Sequence, residues 1–186
     1  MWLAGAALAL VVAWWAARRA PPTGVSDADT AALRELNEIL ASKNDNDPRL
    51  DRDFNALSPV AKMLLRDRYA QLPRERRNEL GTIVYLLGKN MADKDDWDFL
   101  RRMAAEPPCL SLSDCSKSSA RAPGDAVTLA YPALVALKQA ETALKAGRSV
   151  EEARSVVEAG KSSKVPAVVR LARRIESTQA QSPAKP

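Results

Sequence analysis

The chain has 186 residues, 46% of them apolar and 27% charged, which suits one folded domain with appended segments, and its net charge is +5. It contains no histidine, so it cannot build a Ser-His-Asp triad, a Cys-His dyad or a histidine-ligated metal site. Its two cysteines are too few for a closed four-thiolate zinc site.

The first segment is strongly apolar. Residues 1–17 carry no charged side chain and are followed by two arginines. As a helix they rise about 25 Å, close to the roughly 30 Å hydrocarbon core of a bilayer. No small-x-small cleavage pattern precedes the tether. We interpret residues 1–19 as a transmembrane or signal-anchor helix; a cleaved export signal and a buried core helix are the alternatives.

Two signals disagree about the orientation of this segment. The arginine pair places the domain in the cytoplasm by the positive-inside rule. Two cysteines close together in a Pro/Ser-rich loop are instead typical of an oxidising compartment. We expect a single-pass protein of the cell membrane with its domain on the extracytoplasmic (periplasmic) side, and a cytoplasm-facing domain is the alternative.

The first half of the domain shows helical periodicity with capping residues at the expected places. A tether at 20–26 precedes it, and Ser26 or Asp27 can cap the first helix. The predicted elements are a helix at about 27–43, a short element around 49–56, a helix starting at Pro59 after Ser58, a helix starting at Pro73 with a buried run at 80–87, and a helix within 92–104.

The second half begins with a loop at 106–125 that has no periodicity and contains both cysteines. Further helices are predicted from Pro132, after a capping box of Ser149 with Glu152, and from Pro166. Residues 177–186 read as a disordered tail. The fold class is therefore all-α, with a compact stack of about seven short antiparallel helices over 27–176 behind the N-terminal helix.

Cys109 and Cys115 lie six positions apart among prolines and serines, which leave the segment extended or turning. Their Cα atoms could therefore approach within about 6 Å. We favour a structural disulfide. Two free thiols and a redox-active pair are the alternatives, although the spacing is not Cys-x-x-Cys.

Two acidic segments could suggest a cation site. The stretch at 45–53 fails the calcium-loop pattern, because Arg49 and Leu50 take positions that need an oxygen ligand and a glycine. The aspartates at 93, 95, 96 and 98 fall in the first turn of a helix, where the macrodipole favours anions. We expect no metal, no cofactor and no catalytic residue.

The segment 62–77 is the most basic of the chain. It could contact a partner or the phosphates of anionic lipid or nucleic acid, and nucleic acid is the less favoured of these. A solvated helical face is the alternative. The candidate contact residues are Arg66, Arg68, Arg74, Arg76 and Arg77.

Residues 76–104 resemble one unit boundary of a HEAT or armadillo-type repeat, in which an arginine-bearing helix with a small-residue ending precedes an acidic turn and an apolar helix. The residues that carry the resemblance are Arg77, Gly81, Leu87, Gly88, Asp93, Trp97 and Leu100. The resemblance implies protein–protein scaffolding and brings no catalytic residues.

These observations together predict a membrane-tethered helical scaffold module that binds a protein partner and performs no catalysis. The main alternative is a cytoplasm-facing anchored domain that binds anionic lipid or nucleic acid through the basic face 62–77. An enzyme that acts through Asp or Glu residues is a third hypothesis.

Overall fold

The structure of this chain is a computed structural model that describes residues 24–119 and 125–181. The predicted anchor at 1–19, the tether up to residue 23 and the tail from residue 182 lie outside the described residues. Within the described ranges, no helix combines the length and the apolarity that a bilayer crossing requires.

The described residues form nine α-helices and no strand, which confirms the all-α class. The helices are α1 (Asp27–Ser42), α2 (Arg49–Arg52), α3 (Pro59–Gln71), α4 (Arg77–Lys89), α5 (Lys94–Ala104), α6 (Asp125–Leu129), α7 (Tyr131–Lys145), α8 (Val150–Lys161) and α9 (Pro166–Gln181).

Three helix starts follow the local chemistry of the sequence. Ser26 caps α1 in a capping box with Asp29, and Ser58 caps α3 with a proline in the first turn. Asp93 caps α5 in a second capping box, with Asp96 as its partner. Each cap satisfies backbone N–H groups that a helix start leaves without an intrahelical partner.

Three predictions about helix ends differ from the structure. The helix predicted from Pro73 begins only at Arg77, because residues 73–76 form a turn closed by a hydrogen bond from Arg76 N–H to Pro73 O. Ser149 adopts a left-handed conformation with φ of 45° and makes no side-chain cap, so the predicted capping box is absent. Helix α9 continues to Gln181, five residues into the segment predicted as a disordered tail.

Helix α6 was not predicted, because a five-residue helix is too short to show a periodic pattern. It begins at Asp125, the last residue of the predicted loop, and fills the interval before the helix predicted from Pro132. Its last residue, Leu129, packs against the two cysteines, so the disulfide loop contacts α6.

The core is built around α4 and α7. Leu80, Ile83, Val84, Leu86 and Leu87 of α4 are all buried, as the apolar run predicts. Helix α7 packs against α4, α5, α8 and α9, while α1 and α3 extend the stack on the other side through contacts of α3 with α4.

Two glycines let α4 and α7 approach closely. A Cβ atom on Gly81 would lie 2.2 Å from Cδ1 of Tyr131, and one on Gly88 would lie 2.3 Å from Cγ of Gln139. The two glycines are seven residues apart, so they share one face of α4.

Candidate functional site

The predicted basic face 62–77 is not one exposed surface. Arg77 and Lys62 are each only 2% exposed. The guanidinium of Arg77 pairs with the carboxylate of Glu106, which lies just beyond α5, and Tyr69 also reaches that carboxylate with its hydroxyl at 3.4 Å. A ligand outside the protein cannot reach Arg77 in this arrangement.

Lys62 and Arg66 both pair with the buried carboxylate of Asp96. Asp96 also accepts hydrogen bonds from the backbone N–H groups of Ala92 and Asp93. The favourable position at a helix start therefore explains only part of the acidic run, because Asp96 is also the internal counter-ion of α3.

The other three arginines of this face differ from one another. Arg68 is half-buried, and Arg76 pairs with Glu79 at 2.8 Å. Arg74 is exposed, and its Nη2 atom donates a hydrogen bond to the carbonyl of Pro107 at 2.8 Å. Four of the five predicted contact arginines thus bind groups of the protein itself.

The acidic segment 45–53 is also paired internally. Arg49 donates to both carboxylate oxygens of Asp47, at 3.0 and 2.8 Å, and these bonds lower the pKa of Asp47 to about 2. Across residues 24–119 and 125–181, no three His, Cys, Asp or Glu side chains are grouped so that they could hold a metal ion.

The cysteines pair as predicted. The sulfur atoms of Cys109 and Cys115 lie 2.06 Å apart, both residues are buried, and they pack with Leu129. The backbone N–H of Leu110 donates to the carbonyl of Cys115 at 3.0 Å, so the ring is closed by a hydrogen bond as well as by the disulfide.

The turn between α3 and α4 holds this disulfide loop in place. Besides the contacts of Arg74 with Pro107 and of Arg77 with Glu106, the Oε1 atom of Glu75 accepts a 2.8 Å hydrogen bond from the N–H of Cys115. That bond is the main reason why the pKa of Glu75 is lowered. These contacts hold the disulfide loop against the turn between α3 and α4.

A concave surface lies between α6, α7 and α9. One depression there has a volume of about 660 Å³. Val127 is 59% exposed, the highest exposure among the large apolar side chains of the described residues. The apolar and aromatic side chains that line the depression are Tyr85, Val127, Tyr131, Leu134, Val135 and Leu171.

A second depression, of about 330 Å³, adjoins the first one. Its walls include Cys109, Leu110 and Leu129 on the side of the disulfide loop. Both depressions are lined by Ala167 and Arg170, so they meet on α9. We call the continuous surface formed by the two depressions the α9 groove.

The charged residues of the α9 groove are all cationic. Lys138, Arg170 and Arg174 line the first depression, Lys164 lines the second, and no Asp or Glu lines either. Lys138 is neutralised by Glu141 at 2.6 Å. Among residues 24–119 and 125–181, no carboxylate forms an ion pair with Lys164, Arg170 or Arg174.

Comparisons with protein-family models, with curated proteins and with solved structures all find no match to this chain. The resemblance to a HEAT or armadillo-type repeat therefore stays a prediction.

The two tyrosines of the α9 groove are present as neutral phenols. Burial, followed by the hydrogen bond of its hydroxyl to Asp51, raises the pKa of Tyr85 to about 12. Burial also raises the pKa of Tyr131, with a smaller effect from the charge of Asp45. Both rings therefore add uncharged area to a groove whose charged lining residues are cations.

The α9 groove was not predicted from the sequence. A usable signal lies within α9, where Ala167, Arg170, Leu171 and Arg174 follow the spacing i, i+3, i+4 and i+7 of one helical face. This face of α9 alternates apolar and cationic residues along its length, which is typical of a surface that binds an amphipathic partner. It lies next to the face that packs into the core.

Proposed function

We propose that this chain is a membrane-tethered, helical protein–protein interaction module that holds a segment of a partner protein in the α9 groove and performs no catalysis. The observation that carries the proposal is the exposed apolar lining of that groove around Val127. Concave apolar surfaces of this kind on soluble domains are typical of binding sites.

The size of the groove bounds the strength of binding. The two depressions together suit a few anchoring side chains rather than a whole protein face. A partner segment held by these few side chains buries less area than the roughly 1,600 Å² of a standard interface. We therefore expect a dissociation constant of about 1 μM, as is common for transient contacts.

The buried disulfide supports the extracytoplasmic side, because disulfides persist in oxidising compartments. The proposed anchor is residues 1–19. In cells, a topology reporter fused after Pro186 is expected to report an extracytoplasmic C-terminus, and Cys109 and Cys115 are expected to resist alkylation unless a reductant is added. A cytoplasmic reporter signal together with readily alkylated thiols contradicts this side of the membrane.

Photo-crosslinking in cells tests the groove. With p-benzoyl-phenylalanine at position 127, we expect an adduct with a defined partner protein. The same residue at Gln71, which is exposed at the end of α3, is the matched control and is expected to give no such adduct.

A second variant decides whether the adduct depends on the groove. Ala167→Trp fills the point where the two depressions meet and removes no existing contact group. We expect it to abolish the adduct from position 127. An adduct that survives Ala167→Trp, or that forms equally from position 71, contradicts the proposal.

The alternative function, binding of anionic lipid or nucleic acid through the basic face 62–77, receives less support. Lys62, Arg66 and Arg77 already have buried or half-buried carboxylate partners. Binding a phosphate with these side chains requires breaking internal ion pairs, which leaves Asp96 and Glu106 uncompensated.

A further inference from the structure

We propose that the occupant of the α9 groove is an acidic amphipathic helix, with apolar side chains on one face and carboxylates beside them. This inference rests on the proposed function, since it specifies the partner of the same site. Four features of the occupant follow from the groove: its charge, the spacing of its carboxylates, its apolar anchors and its backbone conformation.

The charge of the occupant follows from the cations without partners. Lys164, Arg170 and Arg174 are exposed and have no carboxylate partner within the described residues. The segments at 1–23, 120–124 and 182–186 contain no Asp or Glu side chain that could neutralise them. A partner that carries carboxylates is therefore attracted and oriented, and a basic partner is repelled.

The spacing follows from α9. Arg170 and Arg174 are four residues apart, so they point from one face of the helix with Cβ atoms about 6 Å apart. A partner helix with carboxylates four residues apart presents them at the same interval. Leu171 lies between the two arginines and leads into the apolar part of the groove.

The apolar anchors follow from the two depressions. The first is lined by Val127, Leu134 and Val135, and the second by Leu110 and Leu129. Arg170 stands where the depressions meet. A helix with apolar side chains at positions i, i+3 or i+4 and i+7 can place them in both depressions. A carboxylate beside these side chains can then pair with Arg170, which lies between the depressions.

A helical backbone follows from the walls of the groove. The first depression is walled by helices, whose backbone N–H and C=O groups bond internally, and in the loop wall of the second the N–H of Leu110 is already bonded to Cys115. An incoming chain therefore meets mainly side chains. An extended occupant would bury backbone groups without partners, whereas a helix satisfies its own. The groove is recessed, so the side chains of a helix can enter it, whereas the flat surface of a bilayer cannot.

Selection from a peptide display library tests the inference. The full chain, held in phosphatidylcholine nanodiscs, is the bait, and the probe is a library of random peptides of about 16 residues, long enough for a helix. We expect enriched peptides with apolar residues at helical spacing and an excess of Asp and Glu beside them.

Matched charge reversals decide whether the carboxylates meet the arginines. For the enriched peptides we expect Arg170→Glu combined with Arg174→Glu to weaken binding about tenfold or more, because attraction becomes repulsion. Arg148→Glu combined with Arg173→Glu makes the same change in net charge at two exposed arginines that do not line the groove, and it is expected to change affinity by less than about twofold. Unchanged circular dichroism confirms that the variants remain folded.

The other outcomes are equally informative. Peptides that lose binding with Ala167→Trp but show no acidic excess overturn the acidic helix and leave the proposed function standing. If no enriched peptide loses binding with Ala167→Trp, both the acidic helix and the proposed function are overturned. Soluble short-chain phosphatidylserine that displaces the peptides, and binds more tightly than they do in an Arg170-dependent way, identifies a lipid headgroup as the occupant and overturns the inference.

Discussion

The Oε1 atom of Glu75 accepts a hydrogen bond of 2.8 Å from the backbone N–H of Cys115, forty positions further along the chain. The bond joins the turn before α4 to the disulfide loop, and the contacts of Arg74 with Pro107 and of Arg77 with Glu106 reinforce it. Because Cys109 and Leu110 line one end of the α9 groove, this attachment determines where that wall stands.

Removal of the disulfide is expected to lower the free energy of unfolding moderately. Cys109→Ser combined with Cys115→Ser opens a ring with a separation of six residues. The chain-entropy account of so small a ring gives a loss of about 2–2.5 kcal/mol. Urea unfolding followed by circular dichroism measures it.

The control for this experiment is a reductant. Adding it to the wild type is expected to cause a similar loss, whereas the double serine variant is expected not to respond. Equal stability of the oxidised and reduced wild type would contradict a structural role of the bond.

Breaking the ion pair of Arg77 and Glu106 is expected to be much more costly than replacing it. Glu106→Ala leaves the buried Arg77 guanidinium without its counter-ion, which is expected to reduce the free energy of unfolding by about 3–5 kcal/mol. The combination of Arg77→Met and Glu106→Leu leaves no uncompensated charge, so its loss is expected to be smaller. A double variant less stable than Glu106→Ala alone would contradict this account.

Adding a single methyl group at Gly81 is expected to destabilise the protein. The new Cβ would lie 2.2 Å from the ring of Tyr131, so the ring or the helices must move, at a cost of about 1–3 kcal/mol. On an uncrowded helix face the same change stabilises by about 1 kcal/mol through helix propensity. Thermal unfolding of Gly81→Ala distinguishes the two signs.

A second substitution isolates the clash. Tyr131→Ala removes the ring that the new methyl group would meet. In that background, we expect Gly81→Ala to be neutral or stabilising. A cost that persists without the ring would show that some other contact constrains Gly81.

The carboxylate of Asp29 is expected to make stability depend on pH in the acidic range. Hydrogen bonds from Ser26 and then from Ser58 lower the pKa of Asp29 below its ordinary value of 3.8. A lowered folded pKa adds stability that is fully present above the unfolded pKa and is lost as the pH falls through the folded pKa. The loss therefore begins below about pH 4.

Two measurements check this prediction. Carboxyl NMR is expected to show Asp29 titrating below 3.8, and Asp29→Asn is expected to unfold with a weaker dependence on pH below about pH 4. Titration of Asp29 at or above 3.8 would contradict the hydrogen bonds that join α1 to the start of α3.

The parts of this protein that could be predicted depend on neighbours in sequence. Ser26, Ser58 and Asp93 each cap a helix through a hydrogen bond to a residue three positions away. The cysteine pair belongs to the same class, because six residues of turn-forming sequence can close a ring by themselves. The burial of the apolar run in α4 could be predicted because a nearly continuous apolar stretch of that length is usually buried in a folded domain.

The fate of the basic segment could not be read from its composition. Lys62 and Arg66 pair with Asp96, and Arg77 with Glu106, at separations of 29 to 34 residues. A charged side chain looks the same in sequence whether water or a buried carboxylate solvates it. Four of the five candidate arginines consequently proved to bind the protein itself.

The amino-acid sequence by itself determined an all-helical chain without histidine chemistry, most of its helix starts and its disulfide, because propensity, capping and short ring closure act within a few residues. Only the tertiary structure decided which charges are internal and where the apolar surface remains open. The α9 groove exists because α6 and α9 both pack against α7, and packing between distant segments leaves no local pattern in the sequence.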